Sequence, residues 1–90
     1  NMQMNKDIEN AIALLYEREI HNAPIVISKG EKLLAKKIVE LAKKYNVPVV
    51  SDEDTAKSLM KLDIGEEIPY SLYEAVSIIL RYIYKLKAEL

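Results

Sequence analysis

Apolar side chains recur at every third or fourth position over residues 72–86, which is the spacing of one face of an α-helix. The members of this face are Leu72, Ala75, Val76, Ile79, Leu80, Ile83 and Leu86. A helix with so long an apolar face is stable only when a second layer of secondary structure covers it. We therefore expect this helix, opened by Pro69 and by a capping box of Ser71 and Glu74, to lie across a sheet.

The strands of that sheet are predicted from three short apolar runs. Residues 11–16 form the first run, although their Ala and Leu content would also suit a helix. The runs at residues 25–27 and 47–50 are rich in β-branched side chains and too short for helices. We expect the first two strands to pair antiparallel through a turn over residues 17–24.

A helix is predicted between the second and third strands. Ser28 and Glu31 match a capping box, and apolar positions then repeat at helical spacing as far as Tyr45. Asn46 can adopt the left-handed conformation that ends a helix. Strand, helix and strand would together form a right-handed parallel β-α-β unit.

A further helix is predicted after residue 50, capped by Ser51 or Asp52 and followed by Gly65, which can supply a positive φ. Asp52, Glu53 and Asp54 lie in its first turn, where negative charge is favourable. Carboxylates also bind Ca²⁺ or Mg²⁺, but the spacing is not that of a calcium loop, and capping explains the cluster without a metal.

These elements predict an α/β (α+β) fold, a small mixed β-sheet of about three to four strands packed with three helices. The 90 residues fit one domain over residues 10–90, preceded by a polar tail over residues 1–9. Asn1 precedes Met2, and we expect the natural chain to begin at Met2 or Met4, so that this short chain is essentially complete. The chain has no cysteine, which excludes disulfides, thiolate metal sites and cysteine nucleophiles.

Charge and hydropathy argue against nucleic-acid and membrane functions. The net charge is −1, and the lysines of the first helix are interrupted by Glu40 and lack the interleaved aromatic residues of an RNA-binding surface. No apolar run approaches the length of a membrane span, and the polar N-terminus lacks the apolar segment of a signal peptide. We expect neither nucleic-acid binding nor direct membrane insertion.

Two local features can be interpreted either as chemical sites or, more simply, as ordinary structural elements. His21, the single histidine, lies in a predicted turn without a nucleophile or an orienting carboxylate, so we interpret it as a solvated turn residue. Ser28, Lys29 and Gly30 lie where a strand passes into a helix, which is where phosphate sites occur in α/β folds. A small-ligand or phosphate-binding domain that uses the helix N-terminus at Ser28–Glu31 is therefore the alternative function, although no phosphate-loop motif is present.

Tyrosines cluster around the last helix, and tyrosine is enriched in protein interfaces because its ring is apolar and its hydroxyl stays hydrated. They are Tyr70, Tyr73, Tyr82 and Tyr84. They could merely flank the core, but they are also the best indication from composition and spacing that the partner is a protein.

Four segments of the chain, residues 11–16, 23–30, 47–50 and 64–76, together resemble motifs of the FlhB/YscU family of flagellar and type III export proteins. Residues 23–30, A-P-I-V-I-S-K-G, resemble the family's A-P-x-V-V-A-K-G segment, and residues 47–50 resemble its next strand. Residues 64–76 are similar to its I-G-x-x-I-P-x-x-L-Y-x-A-V stretch, and residues 11–16 to its A-V-A-L-x-Y strand. The resemblance extends from about residue 10 to residue 87.

The resemblance implies a non-enzymatic role in protein export. Family members lie at the cytoplasmic face of the export gate, help to switch which proteins are exported, and bind export substrates and other gate components. We therefore expect a cytoplasmic protein, recruited to the membrane export gate, that binds rod- and hook-type export substrates and export-gate components and needs no cofactor.

The resemblance also predicts that this chain does not cleave itself. The family's Asn-Pro-Thr-His motif is replaced by Lys6, Asp7, Ile8 and Glu9. Aspartate cannot supply the amide nucleophile of the cleavage reaction, and no proline follows it. The chain thus resembles short stand-alone FlhB-like proteins, which correspond to the post-cleavage half of the switch domain.

The family's substrate-binding pocket, carried over to this chain, implicates Ala23, Pro24, Ser77 and Leu80. Small residues leave a depression, and proline and leucine can line it for an apolar peptide anchor. Ser77 stands where a small apolar residue is usual, which would weaken an apolar pocket. We expect Ser28, Lys29, Gly30 and Tyr73 to be secondary contacts.

Overall fold

The hairpin predicted from the first two apolar runs is present in the computed structural model, which describes residues 8–88. Strand β1 (Asn10–Leu15) pairs antiparallel with β2 (Ile25–Glu31). Helices α1 (Leu33–Lys44), α2 (Glu53–Leu59) and α3 (Tyr73–Ala88) follow, with a 3₁₀ turn (Tyr70–Leu72) directly before α3. Over residues 8–88, no helix combines the length and the apolar character that a bilayer crossing requires. Most of the polar tail predicted for residues 1–9 lies outside the described range.

Small residues let α1 pack closely against one face of the hairpin. Ala11 lies opposite Gly30, and Ala13 follows two positions later on the same face of β1. Ala35 of α1 is fully buried. A Cβ atom at Gly30 would lie 2.9 Å from the Cβ atom of Leu34, closer than real contacts allow. The glycine therefore permits α1 to lie this close to β2.

The main hydrophobic core lies on the opposite face of the hairpin. Ile12 and Leu14 point to this face because side chains alternate along a strand, and a β-bulge after Ala13 sets Leu14 opposite Val26. The turn before β2 supplies buried Ala23, and the loop after α2 and the helices supply the remaining buried members of this core, Leu59, Leu62, Ile68 and Val76. Both Val26 and Val76 are almost completely buried, so β2 and α3 meet in the centre of the core.

Three predicted local conformations are confirmed: the N-cap of α2, the left-handed residue after α1 and the positive φ in the loop after α2. Asp52 is the N-cap of α2, where its Oδ1 accepts a hydrogen bond from the Thr55 N–H at 3.1 Å and its Oδ2 accepts one from the Thr55 hydroxyl at 2.8 Å. Asn46 follows α1 with a φ of 60°, and Gly65 has a φ of 93° in the loop after α2. Both φ values lie in the left-handed region that asparagine and glycine tolerate best.

Residues 47–50 do not form the predicted third strand, so within the described residues the sheet has two strands and no parallel β-α-β unit. Part of the β2 edge is occupied by the loop after α2. The Val26 N–H donates to the Glu66 carbonyl at 3.0 Å, and the Gly65 N–H donates to the Val26 carbonyl at 2.7 Å. Val47 and Val49 are instead 54% and 46% exposed. The fold is α+β, with three helices and a two-stranded antiparallel sheet.

The predicted capping box of Ser28 and Glu31 is wrong, because both residues belong to β2. The strand continues until Glu31 lies opposite Asn10, and α1 begins only at Leu33. Lys32, with a φ of 56°, occupies the N-cap and makes no side-chain capping bond. The alternative prediction of a phosphate or small-ligand site at Ser28–Glu31 therefore loses the helix N-terminus on which it depended.

The predicted start of the last helix is also corrected. Ser71 lies inside the 3₁₀ turn and does not cap α3, and Pro69, at the cap of that turn, makes no side-chain capping bond. The Leu72 N–H instead donates to the Pro69 carbonyl at 2.9 Å. The apolar face of the helix still reaches the core, where Leu72 and Leu80 pack beside buried Val76.

Candidate protein-binding groove

A groove of about 840 Å³ lies between the turn before β2 and the first half of α3. The turn supplies Ala23 and Pro24, and the Pro24 carbonyl accepts a hydrogen bond from the Ile68 N–H at 2.9 Å. Helix α3 supplies Ser77 and Leu80 to the other side. The four residues that the family resemblance selects therefore line one groove, and their role in binding remains a prediction.

The floor of the groove is apolar and continuous with the core. Ile68 and Val76 are buried core residues that also line the groove. Ala23 is only 2% exposed, so it serves as floor rather than as a projecting contact. Because the side chains of Ala23 and Ser77 are small, space is left above this floor for an apolar group from a ligand.

The hydroxyl of Ser77 is satisfied within α3. Its Oγ donates a hydrogen bond to the Glu74 carbonyl at 3.0 Å, which is the backward bond that serine commonly makes in a helix. A ligand therefore need not provide a partner for this hydroxyl. The expected weakening of an apolar pocket by serine at this position is reduced, because the cost of burying an unsatisfied hydroxyl does not arise.

Tyrosine side chains form much of the groove wall. Tyr70 and Tyr73 make a tilted aromatic pair with ring centroids 5.3 Å apart and an interplanar angle of 55°. Tyr16, just after β1, also lines the groove. Aromatic walls with accessible hydroxyl groups suit a peptide ligand, because the rings bury apolar area while the hydroxyls keep hydrogen-bonding capacity.

Opposite charges stand on the α3 side of the groove. Glu74 and Arg81 both line it, and they lie seven positions apart in the helix, roughly 10 Å along its axis. Both side chains are exposed. A peptide lying along α3 would therefore meet a negative group near one end of the groove and a positive group near the other.

The expected secondary contacts divide between two places. Tyr73 lines the groove, whereas Ser28, Lys29 and Gly30 lie in β2 outside it. The Lys29 ammonium donates to the backbone carbonyls of Met60 at 3.0 Å and Leu62 at 2.7 Å, which ties β2 to the end of α2.

Sequence reasoning missed three groove residues, all of them close in sequence or along α3 to residues that it selected. Tyr16 is the first residue after β1, so the hairpin turn brings it near Pro24. Arg81 stands four residues after Ser77, which places both on one flank of α3. Asn22, directly before Ala23, also lines the groove.

The one histidine stabilises the turn beside the groove. His21 Nδ1 accepts a hydrogen bond from the Glu17 N–H at 2.9 Å, and the Glu17 carbonyl accepts from the His21 N–H at 2.7 Å. This closed turn agrees with the interpretation of His21 as a turn residue, although its side chain is half-buried rather than fully solvated. Over residues 8–88, no three histidine or carboxylate side chains come together as ligands for a metal ion.

Comparisons with known proteins place this fold in one family. The sequence profile of the FlhB HrpN YscU SpaS family matches residues 8–83. The flagellar biosynthetic protein FlhB of Aquifex aeolicus (strain VF5) is 42% identical over 74 residues, which is 81% of this chain and 21% of FlhB. The protein YlqH of Bacillus subtilis (strain 168) is 36% identical over 85 residues, which is 94% of this chain and 91% of YlqH. The chain thus spans about a fifth of that FlhB and most of YlqH.

Solved structures of C-terminal domains share the architecture. The PscU C-terminal domain superposes with a TM-score of 0.80 at 26% identity, over 83% of this chain and 96% of that domain. A mutated EscU/SpaS C-terminal domain gives a TM-score of 0.79 at 33% identity, over 82% of this chain and 93% of that domain. From the profile match, the relatives and the shared fold, the chain belongs to the FlhB HrpN YscU SpaS family.

Proposed function

We propose that this chain is a non-enzymatic protein-binding module of the flagellar or type III export apparatus. It binds export substrates of the rod and hook type, or components of the export gate, through the groove between residues 23–24 and α3. The observation that carries the proposal is that Ala23, Pro24, Ser77 and Leu80 line one groove with an apolar floor. A cytoplasmic location with recruitment to the membrane export gate follows from this role.

The shape and chemistry of the groove favour an extended peptide with one apolar anchor. Burial of a Leu- or Phe-sized side chain over Ala23 and Val76 would contribute about 1.5–3 kcal/mol. Tyr16 and Tyr73 can cover the flanks of such an anchor. Binding of this kind needs no metal or cofactor.

The family relationship supports the biological setting. The relatives named FlhB are flagellar biosynthetic proteins, and this chain matches about a fifth of one such protein. YlqH is similar along nearly its whole length. These likenesses support a part in flagellar biosynthesis and leave the particular partner to experiment.

The absence of self-cleavage belongs to the same proposal. Residues 6–9 stand where the family resemblance places Asn-Pro-Thr-His, and Lys6 and Asp7 lie outside the described residues. We expect the purified chain to keep its intact mass after prolonged incubation at neutral pH, as measured by mass spectrometry. A fragment cut between residues 6 and 9 would contradict this expectation.

The groove is tested by filling it without touching the core. In Ser77→Tyr, a bulky side chain would occupy the space above Ala23, and we expect binding of purified rod or hook subunits to weaken at least about tenfold. Ser51→Tyr adds the same side chain at an exposed position before α2 and should bind like the unmodified chain. Isothermal titration calorimetry measures both, and equal affinities for the two variants would show that the groove is not the binding site.

Leu80→Asp is a less discriminating change, because Leu80 also packs against the hydrophobic core. A buried, unpaired carboxylate would destabilise the fold, so lost binding would not identify the groove. For this reason circular dichroism must accompany any Leu80 variant, whereas Ser77→Tyr adds volume on the groove side only.

A further inference from the structure

One flank of α3 carries an apolar stripe that lies beside the core rather than in it. The core takes Leu72, Val76 and Leu80 from this part of the chain. At 3.6 residues per turn, a second set of apolar side chains lies within about 100° of arc on the neighbouring flank. We call this set the outer stripe, and its members are Ala75, Ile78, Ile79, Tyr82 and Leu86.

Three of the five members of the outer stripe are exposed to solvent, and Ala75 and Ile79 are half-buried. Ile78, Tyr82 and Leu86 are 53%, 55% and 45% exposed. Single exposed apolar residues are ordinary, but a row of exposed apolar residues along about two turns of helix indicates an interaction surface. None of these five residues lines the groove, so the apolar surface is distinct from the proposed substrate site, although Glu74 borders both surfaces.

Charges beside the outer stripe indicate which partner fits it. Glu74 and Lys85 lie at nearly the same angle around the helix axis, along one edge of the stripe and three turns apart. In an antiparallel pair of α3 helices, Glu74 of each copy would face Lys85 of the other, giving two ion pairs. In a parallel pair, equal charges would lie at the same level and the opposite charges would stay three turns apart.

Side-chain sizes agree with the same antiparallel register. The register that sets Glu74 opposite Lys85 also brings small Ala75 opposite large Leu86. Ile78 and Tyr82 then face each other near the middle of the helix. The midpoints of all three pairings lie within about half a residue of position 80, as a two-fold symmetric contact requires.

We propose that the outer stripe of α3 pairs with the outer stripe of a second copy of this chain, forming an antiparallel, two-fold symmetric dimer. The self-complementary charges and sizes are those of an isologous helix contact. The dimer does not depend on the groove being a substrate site. It would carry two grooves, so a partner with two anchors, or two linked partners, would bind with higher avidity.

Matched aspartate variants test the contact. Ile78→Asp puts a charge in the middle of the outer stripe, whereas Ile64→Asp makes the same change at a residue that is 62% exposed in the loop after α2. Analytical ultracentrifugation from about 1 μM to about 1 mM should show a monomer–dimer equilibrium for the unmodified chain and for Ile64→Asp. We expect Ile78→Asp to raise the dimer dissociation constant at least tenfold. A monomer throughout for the unmodified chain, or a dimer unaffected by Ile78→Asp, overturns the proposal.

Cysteine cross-linking tests the orientation, because the chain has no cysteine of its own. A chain with both Ala75→Cys and Leu86→Cys should form covalent dimers rapidly with oxidised glutathione. Within one chain these positions lie roughly 16 Å apart along the helix, too far for a disulfide. Each single variant should cross-link far more slowly, since its thiol faces an alanine or a leucine. Faster cross-linking by Ala75→Cys alone would indicate a parallel pair and contradict the proposed register.

Discussion

At the scale of single residues, Gly30 decides how closely α1 approaches the hairpin. A methyl group there would overlap the side chain of Leu34, including its Cβ, which can move only if the helix moves. We expect Gly30→Ala to lower the free energy of unfolding by about 1–3 kcal/mol, the usual cost of overpacking. Urea denaturation measures this cost, with Glu31→Ala at the adjacent exposed position as control. A loss no larger than that of the control would show that α1 adjusts freely.

Lys29 is the second residue whose role the structure redefines. The resemblance proposes it as a binding contact, but its ammonium lies against the Met60 and Leu62 carbonyls and bridges β2 to the end of α2. Lys29→Met keeps the aliphatic stem and removes both hydrogen bonds, so we expect a loss of about 1–3 kcal/mol in unfolding free energy. Lys36→Met, at an exposed position of α1, should change stability by less than about 0.5 kcal/mol. Equal denaturation midpoints for the two variants would contradict this assignment.

At the scale of elements, α2 depends on its N-cap. The hydrogen bond from the Thr55 N–H, helped by the Thr55 hydroxyl, lowers the pKa of Asp52 below its ordinary value of 3.8. A carboxylate whose pKa is lower in the folded chain stabilises the fold above the unfolded pKa and loses that contribution as pH falls through the folded pKa. The cap of α2 should therefore weaken only in acid, below about pH 4.

Asp52→Asn separates this titration from capping itself, because asparagine also caps helices but does not ionise. We expect the stability advantage of the unmodified chain over Asp52→Asn to shrink between neutral pH and about pH 2.5. Urea denaturation at several pH values gives the two curves. Curves that stay parallel over this range would mean that the carboxylate of Asp52 is not linked to folding.

The elements that the sequence predicts correctly are those whose signals are local. A short β-branched run indicates β2, the helical spacing of apolar residues indicates α1 and α3, and Asp52 marks the start of α2. The predicted third strand does not form, because a strand at residues 47–50 would need a free edge of β2 for its hydrogen bonds. The loop at Gly65 and Glu66 takes hydrogen bonds at that edge of β2, and nothing in residues 47–50 reveals it.

The groove residues could likewise be predicted only where the signal lies in the local sequence. The resemblance gives Ala23, Pro24, Ser77 and Leu80, and the structure brings them together. Composition and spacing alone identify only the tyrosines as candidate binding residues. Tyr16 is missed because it lines the groove only when the hairpin folds against α3. That tertiary contact cannot be predicted from the residues around Tyr16.

At the scale of the whole molecule, stability and binding share side chains. Val76 is at once a central core residue and part of the groove, and Leu80 contacts the core from the groove wall. A domain of this size buries a small core and is only marginally stable. Any partner that binds the folded chain, including a second copy, should therefore stabilise it measurably through mass action.

Self-association allows the link between binding and folding stability to be measured without any identified partner. If α3 helices pair through the outer stripe, the midpoint of thermal unfolding should rise by roughly 3 °C for each tenfold increase in protein concentration, because dimerisation draws folded chains out of the unfolding equilibrium. Ile78→Asp should remove this dependence, and Ile64→Asp should keep it. Differential scanning calorimetry between about 10 μM and about 1 mM covers the range needed. Midpoints independent of concentration in the unmodified chain would show that the folded state is a monomer, and the outer stripe would then have to serve another partner.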